Sequence, residues 1–252
     1  MLITRKHLCC AAAVALLVCA PAALARRANP PAGRTGSPAS GGSSCMQCHG
    51  SATGAGAVEI LGLPGSYQAG AVYDLTIRVS DPDQVGAGFQ ISIENAMGTH
   101  VGILSLIDPT TTQLNGSDPN FVNHTSAGVV DSVAGWAGLG DAAEYPVRWQ
   151  APATDAGPIT FWAAGNAINN NFSSSGDIIY LTDQTIAAAQ PGDCTEDGVV
   201  DLADYLVFEQ CVTGPDNGPV MEDCSCADLN EDDDVDLADF AAFQVEFSDG
   251  AP

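Results

Sequence analysis

Apolar and polar residues alternate in short runs through the middle of the chain, from about residue 57 to residue 188. This period-two pattern is typical of strands that bury one face. It is clearest in four segments: 73–80, 89–94, 147–150 and 159–161. Turn-forming residues such as Asp81-Pro82-Asp83 separate the runs at intervals typical of β-sandwiches. The pattern predicts a sandwich of about seven or eight strands over residues 57–188.

The C-terminal part of the chain contains an internal repeat. Residues 193–204, DCTEDGVVDLAD, align with residues 228–239, DLNEDDDVDLAD, at a spacing of 35 residues. Each copy continues into a short apolar stretch that predicts a helix, residues 205–212 and 240–247. Two copies of one unit are expected to bury these helices against each other. We therefore expect a small all-α domain over residues 192–248, after the mainly β sandwich.

Each repeat carries the oxygen atoms that a calcium loop requires. Ca²⁺ takes six to eight oxygen ligands, and a 12-residue loop presents them at positions 1, 3, 5, 7, 9 and 12. In the first copy these positions hold Asp193, Thr195, Asp197, Val199 through its carbonyl, Asp201 and Asp204. In the second copy they hold Asp228, Asn230, Asp232, Asp234 through its carbonyl, Asp236 and Asp239. The register predicts two calcium sites.

The two loops differ at position 6, where the chain turns sharply. Gly198 in the first copy adopts a positive φ without strain. The same conformation at Asp233 in the second copy should destabilise the loop by about 1 kcal/mol. Position 12 is Asp in both copies, where calmodulin-type loops have Glu, so the shorter side chain must lie closer to the ion.

The charge of the chain is strongly unbalanced. The formal net charge is −24, and residues 193–249 hold 18 of the 31 acidic residues and no Lys or Arg. An acidic surface repels phosphate, so nucleic acid and anionic lipid are excluded as partners, whereas inorganic cations are favoured. A solvated acidic tail is the simpler interpretation of such a block. Oxygen-bearing residues that recur in register argue against it.

The first 25 residues have the pattern of a secretory signal. Arg5 and Lys6 precede the apolar stretch 8–24, and Ala23-Leu24-Ala25 is a small-residue cleavage site. We expect a secreted or periplasmic protein, with cell-surface association as a further option. No membrane span is expected after cleavage, because no other apolar run reaches the roughly 18 residues needed. Residues 26–44 are rich in Pro, Gly and Ser and predict a flexible leader.

Four of the cysteines that remain after export lie in the acidic region, at 194, 211, 224 and 226. Disulfides persist outside the cytoplasm, and four cysteines allow three pairings. We expect Cys211 to pair with Cys224, and Cys194 with Cys226. Zinc held by the thiolates is the alternative.

Residues 45–49 read Cys-Met-Gln-Cys-His, the form that attaches c-type haem. Cys45 and Cys48 would bond the two vinyl groups, and His49 would be the proximal iron ligand. A local Cys45–Cys48 disulfide with an incidental histidine is the alternative. Since residues 45–56 offer no helices to wrap a haem, the sandwich would have to cover it. Its candidates for the sixth iron ligand are Met97, His100 and His124.

The acidic repeats, with two D-x-x-x-D-x-x-V-D-L-A-D loops, resemble the type I dockerin and the dockerin-like repeats of secreted planctomycete-type proteins. The resemblance covers residues 192–248 and implies calcium binding and docking to a cohesin-like or cell-surface protein. Loop positions 10 and 11 are Leu202-Ala203 and Leu237-Ala238. Clostridial modules typically have Ser-Thr there, so this chain departs from the family pattern at the residues that contact cohesin.

The sandwich, with the preceding CxxCH motif, resembles the reelin-like (reeler) domain and more closely the bacterial choice-of-anchor V group. The segments that carry this resemblance are Leu63–Tyr67, Tyr73–Ile77, Gly88–Ile91, His124–Gly128, Trp149–Pro152, Ala163–Ala167 and Gly176–Tyr180. The group typically shares CxxCH and a His-Thr-x-x-Gly segment, which implies His124 as the distal haem ligand. A C-terminal anchoring element is also implied, and here the dockerin-like domain occupies that place.

Three classes of function follow. The first is a non-enzymatic exported protein whose haem-bearing sandwich transfers or senses electrons, with a redox partner, and is tethered by the calcium domain. The second is a glycan-binding component of a polysaccharide-degrading assembly, with Trp136, Trp149 and Trp162 as sugar platforms. An enzyme ranks last, because the sequence has no nucleophile elbow, no His-Glu-x-x-His and no phosphate loop.

Overall fold

The computed structural model describes residues 28–50, 53–195, 197–221, 224–230 and 232–247. The proposed signal, residues 1–25, lies outside the described residues. The strands, in chain order, are β1 (Ala57–Leu61), β2 (Ser66–Tyr67), β3 (Val72–Ser80), β4 (Gly86–Asn95), β5 (Ile103–Leu106), β6 (Thr112–Leu114), β7 (Val122–His124), β8 (Ala142–Gln150), β9 (Ile159–Ile168) and β10 (Ile178–Ala188). The helices are α1 (Met46–His49), α2 (Ser126–Gly135), α3 (Leu202–Cys211) and α4 (Leu237–Glu246), with a 3₁₀ turn at Trp136–Leu139.

The strands form the predicted sandwich. One sheet has the order β1-β3-β8-β5 and the other the order β2-β10-β9-β4-β7-β6. All pairs are antiparallel except β10 with β2, which run parallel. The core between the sheets contains the inward residues of the alternating runs, among them Ile77, Ile91, Trp149 and Phe161. The fold is therefore mainly β, as the alternation predicts.

The sandwich differs from the prediction in its short elements. Strands β2, β6 and β7 have two or three residues, too few to show an alternating pattern. Helix α2 is also absent from the prediction. Its N-cap Thr125 accepts a hydrogen bond from the backbone amide of Gly128, which is a local signal for a helix start.

The N-terminal segment 28–44 corrects a second expectation, that of a flexible leader. It lies along β4 and buries the outward face of that strand, so that Gln90, Ser92 and Glu94 are at most 1% exposed. The backbone amide of Arg34 donates to Gln90 Oε1 at 2.6 Å, and the amide of Ala39 donates to Glu94 Oε2 at 3.1 Å. Outward-facing polar side chains of β4 therefore hold this segment, although its own composition is poor in apolar residues.

The C-terminal helices form a separate core. Phe208 of α3 and Phe243 of α4 pack with ring centroids 5.1 Å apart, beside Val200 and Val235 of the two loops. Both predicted disulfides are present, Cys194–Cys226 and Cys211–Cys224. The four thiols are thereby consumed, which excludes the zinc alternative. Each helix begins three residues earlier than its apolar stretch suggests, because loop positions 10 and 11 are already helical.

Candidate functional site: two carboxylate loops and a histidine-lined cavity

The first acidic loop brings three of its predicted ligands together. Carboxylate oxygens of Asp193, Asp197 and Asp204 lie within 4.8 Å of one another. Backbone amides orient them: Gly198 donates to Asp193 Oδ2 at 2.8 Å, and Thr195 donates to Asp204 Oδ1 at 2.9 Å. Asp193 and Asp204 are buried. Like charges that converge in a buried loop repel each other unless a cation neutralises them.

The second loop repeats this arrangement. Carboxylate oxygens of Asp228, Asp232 and Asp239 also lie within 4.8 Å of one another, as do those of Asp234, Asp236 and Asp239. Asp239 is fully buried, and its Oδ1 accepts hydrogen bonds from the amides of the residues at positions 2 and 3 of the loop. The carboxylates at positions 1, 5 and 12 therefore converge in both copies.

The remaining predicted ligands have other contacts in this structure. Asp201 and Asp236 at position 9 are helix N-caps, and each accepts a backbone amide two residues ahead. Thr195 Oγ1 donates to Asp204 Oδ1, and Asn230 Nδ2 donates to Asp232 Oδ2, both at 2.9 Å. The roles of these side chains, and of the carbonyl oxygens of Val199 and Asp234, in binding an ion stay predictions.

The two position-6 residues adopt the predicted backbone conformation. Gly198 has φ 87° and Asp233 has φ 68°. The left-handed region costs a residue with a Cβ free energy that glycine does not lose. The second loop is therefore the more strained of the two.

The CxxCH motif forms the short helix α1 against the sandwich. Among the described residues, Cys45 and Cys48 carry free thiols, so the local disulfide is not formed here. The Cys45 thiol lies 3.6 Å from the carbonyl oxygen of Arg34, and burial raises the pKa of this thiol to about 12. The motif thus keeps two reduced sulfurs beside a folded surface.

His49 reaches the sandwich through two polar side chains. Its Nδ1 lies 2.8 Å from Asp177 Oδ2, and the Asn166 amide nitrogen lies 3.2 Å from Nδ1 and 3.4 Å from Nε2. Asn166 belongs to β9, and Asp177 immediately precedes β10. Two neighbouring strands therefore position the imidazole of a motif that lies more than 100 residues earlier.

His124 lies at the end of β7, buried over the adjacent strand β4. Its ring covers Gly88, where an added Cβ would be 2.5 Å from Cε1, so only glycine leaves room for it. His124 Nδ1 is 2.9 Å from the amide nitrogen and 3.1 Å from the carbonyl oxygen of Phe89. Both tautomers thus find a backbone partner: the amide donates to a bare Nδ1, and the carbonyl accepts from Nδ1–H.

One cavity joins these residues. It has a volume of about 160 Å³ and opens to solvent, and His49, His124 and Cys45 line it. This volume is below the usual range of ligand pockets, about 300 to 1,000 Å³, so a large ligand would extend into the open mouth of the cavity. The rest of its wall is mostly apolar, with Pro30, Phe89, Val129, Ile168 and Phe172 among the lining residues. The structure therefore brings the predicted proximal and distal histidines to one site.

The other two candidates for the sixth ligand lie elsewhere. Neither Met97 nor His100 lines the cavity. Met97 is 84% exposed, and His100 packs edge-on against Phe121 with ring centroids 5.0 Å apart. Of the three candidates, the structure places only His124 at the cavity.

Two cavity residues were missed by the sequence analysis, Asn166 and Asp177. Asn166 is a polar residue within the apolar strand β9, and Asp177 directly precedes the apolar start of β10, which are the signals that could have found them. Asn166 Oδ1 is buried without a hydrogen-bond partner among the described residues. A bound group that donates a hydrogen bond would satisfy it.

Two of the three tryptophans proposed as sugar platforms, Trp136 and Trp149, are in the wrong place for that role, whereas Trp162 on β9 is half-buried and its role stays a prediction. Trp149 is fully buried between the sheets, and Trp136 is 4% exposed. Trp149 stacks on Tyr73 and contacts the edge of Phe161. Both indoles are used for packing, so a sugar cannot stack on them.

Comparison with known proteins agrees with this division of the chain. Residues 191–245 match the family model of the dockerin type I domain. No curated protein matches the sequence. No helix among the described residues is both long and apolar enough to cross a bilayer.

Three solved structures are distantly similar to this chain. The human F-spondin reeler domain is 17% identical with TM-score 0.39, over 55% of this chain and 92% of that one. A second structure, the reelin-N domain of F-spondin, is 18% identical with TM-score 0.38, over 56% and 90%. A type II cohesin-X-dockerin complex from Acetivibrio cellulolyticus is 12% identical with TM-score 0.26, over 49% and 98%. The chain therefore has a β-sandwich that is similar to reeler domains, followed by a segment that matches the dockerin type I family model, a kind of domain that binds calcium.

Proposed function

We propose that this chain is a modular, non-enzymatic extracellular protein. Its dockerin domain holds two Ca²⁺ ions and anchors the protein to a cohesin-like partner, and its sandwich carries a covalent c-type haem for electron transfer or redox sensing. The observation that carries the haem part is the single cavity lined by Cys45, His49 and His124.

The residues at the cavity fit a haem in three respects. Cys48 and His49 lie on the short helix α1 and Cys45 is its N-cap, His49 and Cys45 line the cavity together with a second histidine, and the wall is largely apolar. A bound haem would supply an iron centre that gains and loses one electron reversibly. Each thiol of Cys45 and Cys48 would add across one vinyl double bond, forming a C–S and a C–H bond, so that attachment consumes no oxidant.

The haem proposal is tested by asking whether haem is attached covalently to the polypeptide. The full chain is exported from a host that matures c-type cytochromes and, in parallel, from the same host without the maturation system. A haem that stays with the polypeptide in a denaturing gel is expected only from the first host, and only when Cys45 and Cys48 are intact. A haem-free product from the competent host would contradict the proposal.

The calcium proposal rests on the converging carboxylates of the two loops. Their repulsion must be offset by a cation, so binding free energy becomes folding free energy for this domain. Calorimetry with and without chelator tests it. The transition of residues 192–248 is expected to shift to lower temperature without calcium, while that of the sandwich stays in place because its core is separate. An unchanged C-terminal transition would refute calcium binding.

The partner proposal rests on the surface of the dockerin domain. Leu202 and Leu237, at position 10 of the two loops, are 63% and 81% exposed although both are large and apolar. Equivalent exposed leucines in two copies suit a partner with an apolar contact surface. We infer a cohesin-like protein whose contact is apolar rather than hydroxyl-mediated.

A further inference from the structure

We infer that Asp177 is a positioning residue that fixes the tautomer of His49 and lowers the reduction potential of the site. The inference rests on the proposed haem function and deepens it. Its basis is the 2.8 Å contact between Asp177 Oδ2 and His49 Nδ1, which joins two side chains that are only 4% and 13% exposed.

The contact determines where the imidazole carries its proton. An ionised carboxylate only accepts hydrogen bonds, so Nδ1 of His49 must donate to Asp177. In a neutral imidazole the other nitrogen, Nε2, then keeps its lone pair. A histidine that binds a metal through one nitrogen is held in the same way when its other N–H donates to a carboxylate.

Burying the Asp177 carboxylate costs free energy, and the positioning role gives a reason why this residue is nevertheless buried. The residue is 3% exposed, and its second oxygen, Oδ1, accepts the backbone amide of Asn169 at 3.3 Å. Burying a carboxylate costs free energy unless it is paired and hydrogen-bonded. His49 and the Asn169 amide provide that compensation, and no Lys or Arg is among the residues lining this cavity.

The charge of Asp177 has a direct consequence for redox chemistry. A carboxylate hydrogen-bonded to the proximal histidine increases the electron density of that ligand and places a negative charge beside the site. Both effects favour the oxidised state, because oxidation adds a positive charge. Asp177 would therefore give a bound haem a lower reduction potential than an uncharged residue at the same position would give it.

The test compares reduction potentials of the holoprotein measured by spectroelectrochemical titration. Asp177→Asn retains an acceptor for Nδ1–H but removes the charge, and Asp177→Ala removes both. The potential is expected to rise in the first variant and to rise at least as far in the second. Asp183→Asn is the matched control, since it removes the same charge from an exposed position of β10. An Asp177→Asn potential equal to that of the unsubstituted protein overturns the redox part.

A second measurement does not depend on haem. Nitrogen-15 NMR of the haem-free full chain, assigned with a His49→Gln variant, reports the protonation of each ring nitrogen. At mildly alkaline pH, Nδ1 of His49 is expected to carry the proton, and Asp177→Ala is expected to shift it toward Nε2. A proton on Nε2 in the unsubstituted chain overturns the positioning role. If the tautomer is as expected but no haem attaches, the proposed function and the redox part both fail while the positioning role is supported.

Discussion

Asp239 and Asp236 form a reciprocal pair in which the amide of Asp236 donates to Asp239 Oδ2 at 2.8 Å while the Asp236 side chain caps the amides at the start of α4. Asp201 and Asp204 repeat the pair at the start of α3, also at 2.8 Å. The carboxylate at loop position 12 is thus both the last predicted calcium ligand and part of the helix cap. Ion binding at this position would therefore be coupled to helix formation through one side chain.

Asp239→Ala is therefore expected to weaken the second site and destabilise α4 even without calcium. Loss of a cap costs about 0.5 to 2 kcal/mol, and loss of a ligand lowers calcium affinity further. Isothermal titration calorimetry gives the affinity and chelator-treated samples give the stability. Glu246→Gln, at the exposed end of the same helix, is the control. Equal affinities in both variants would rule out Asp239 as a ligand.

Asp233→Gly is expected to stabilise the dockerin domain by about 0.5 to 1 kcal/mol. The residue has φ 68°, and glycine removes the strain of a Cβ in this region. Asp233→Asn separates strain from charge, because it keeps the Cβ and removes only the carboxylate. Thermal unfolding of the calcium-loaded chain measures both. If Asn stabilises as much as Gly, repulsion rather than backbone strain is the cause.

Gln90→Ala is expected to release the N-terminal segment 28–44 from the sandwich. Gln90 accepts the amide of Arg34 and donates to the carbonyl of Pro31 at 3.0 Å, so its loss leaves buried backbone groups without partners. The interaction between the segment and the sandwich is expected to weaken by about 1 to 3 kcal/mol. Trypsin cleavage after Arg34 should become several-fold faster, whereas Gln184→Ala on the exposed face of β10 should leave it unchanged. Equal cleavage rates would show that Gln90 does not hold the segment.

The strands and loops could be predicted from the sequence because their signals are local. The alternation of apolar and polar residues identified β3 and β4. The alignment of the two 12-residue loops identified Asp193 and Asp239 as ligand positions. The burial of Gln90, and the pairing of Asp177 with His49, could not be predicted because each joins residues far apart in the chain. Composition was misleading for residues 28–44: a segment poor in apolar side chains can still be held through its backbone.

Replacing both exposed leucines of the dockerin domain, Leu202→Asp with Leu237→Asp, is expected to reduce affinity for a purified cohesin module at least ten-fold. Carboxylates at an apolar contact must be desolvated without a partner. Each single variant should lose less, since the other repeat retains its leucine. Val130→Asp is the control, because this half-exposed residue lies on α2 of the sandwich. Unchanged affinity of the double variant would place the contact elsewhere.

His124→Ala is expected to leave the thioether bonds to Cys45 and Cys48 intact while it opens the iron to carbon monoxide or cyanide. Two histidine ligands give low-spin iron with a sharp split absorption on reduction, and loss of one removes that signature. His124→Gln repeats the test with less loss of packing over Gly88, where the ring lies in van der Waals contact. His100→Ala is the matched control, since His100 packs on Phe121 outside the cavity. If His124→Ala leaves the spectrum unaltered and His100→Ala changes it, the distal ligand is His100, and the haem is not held in the cavity between His49 and His124 as proposed.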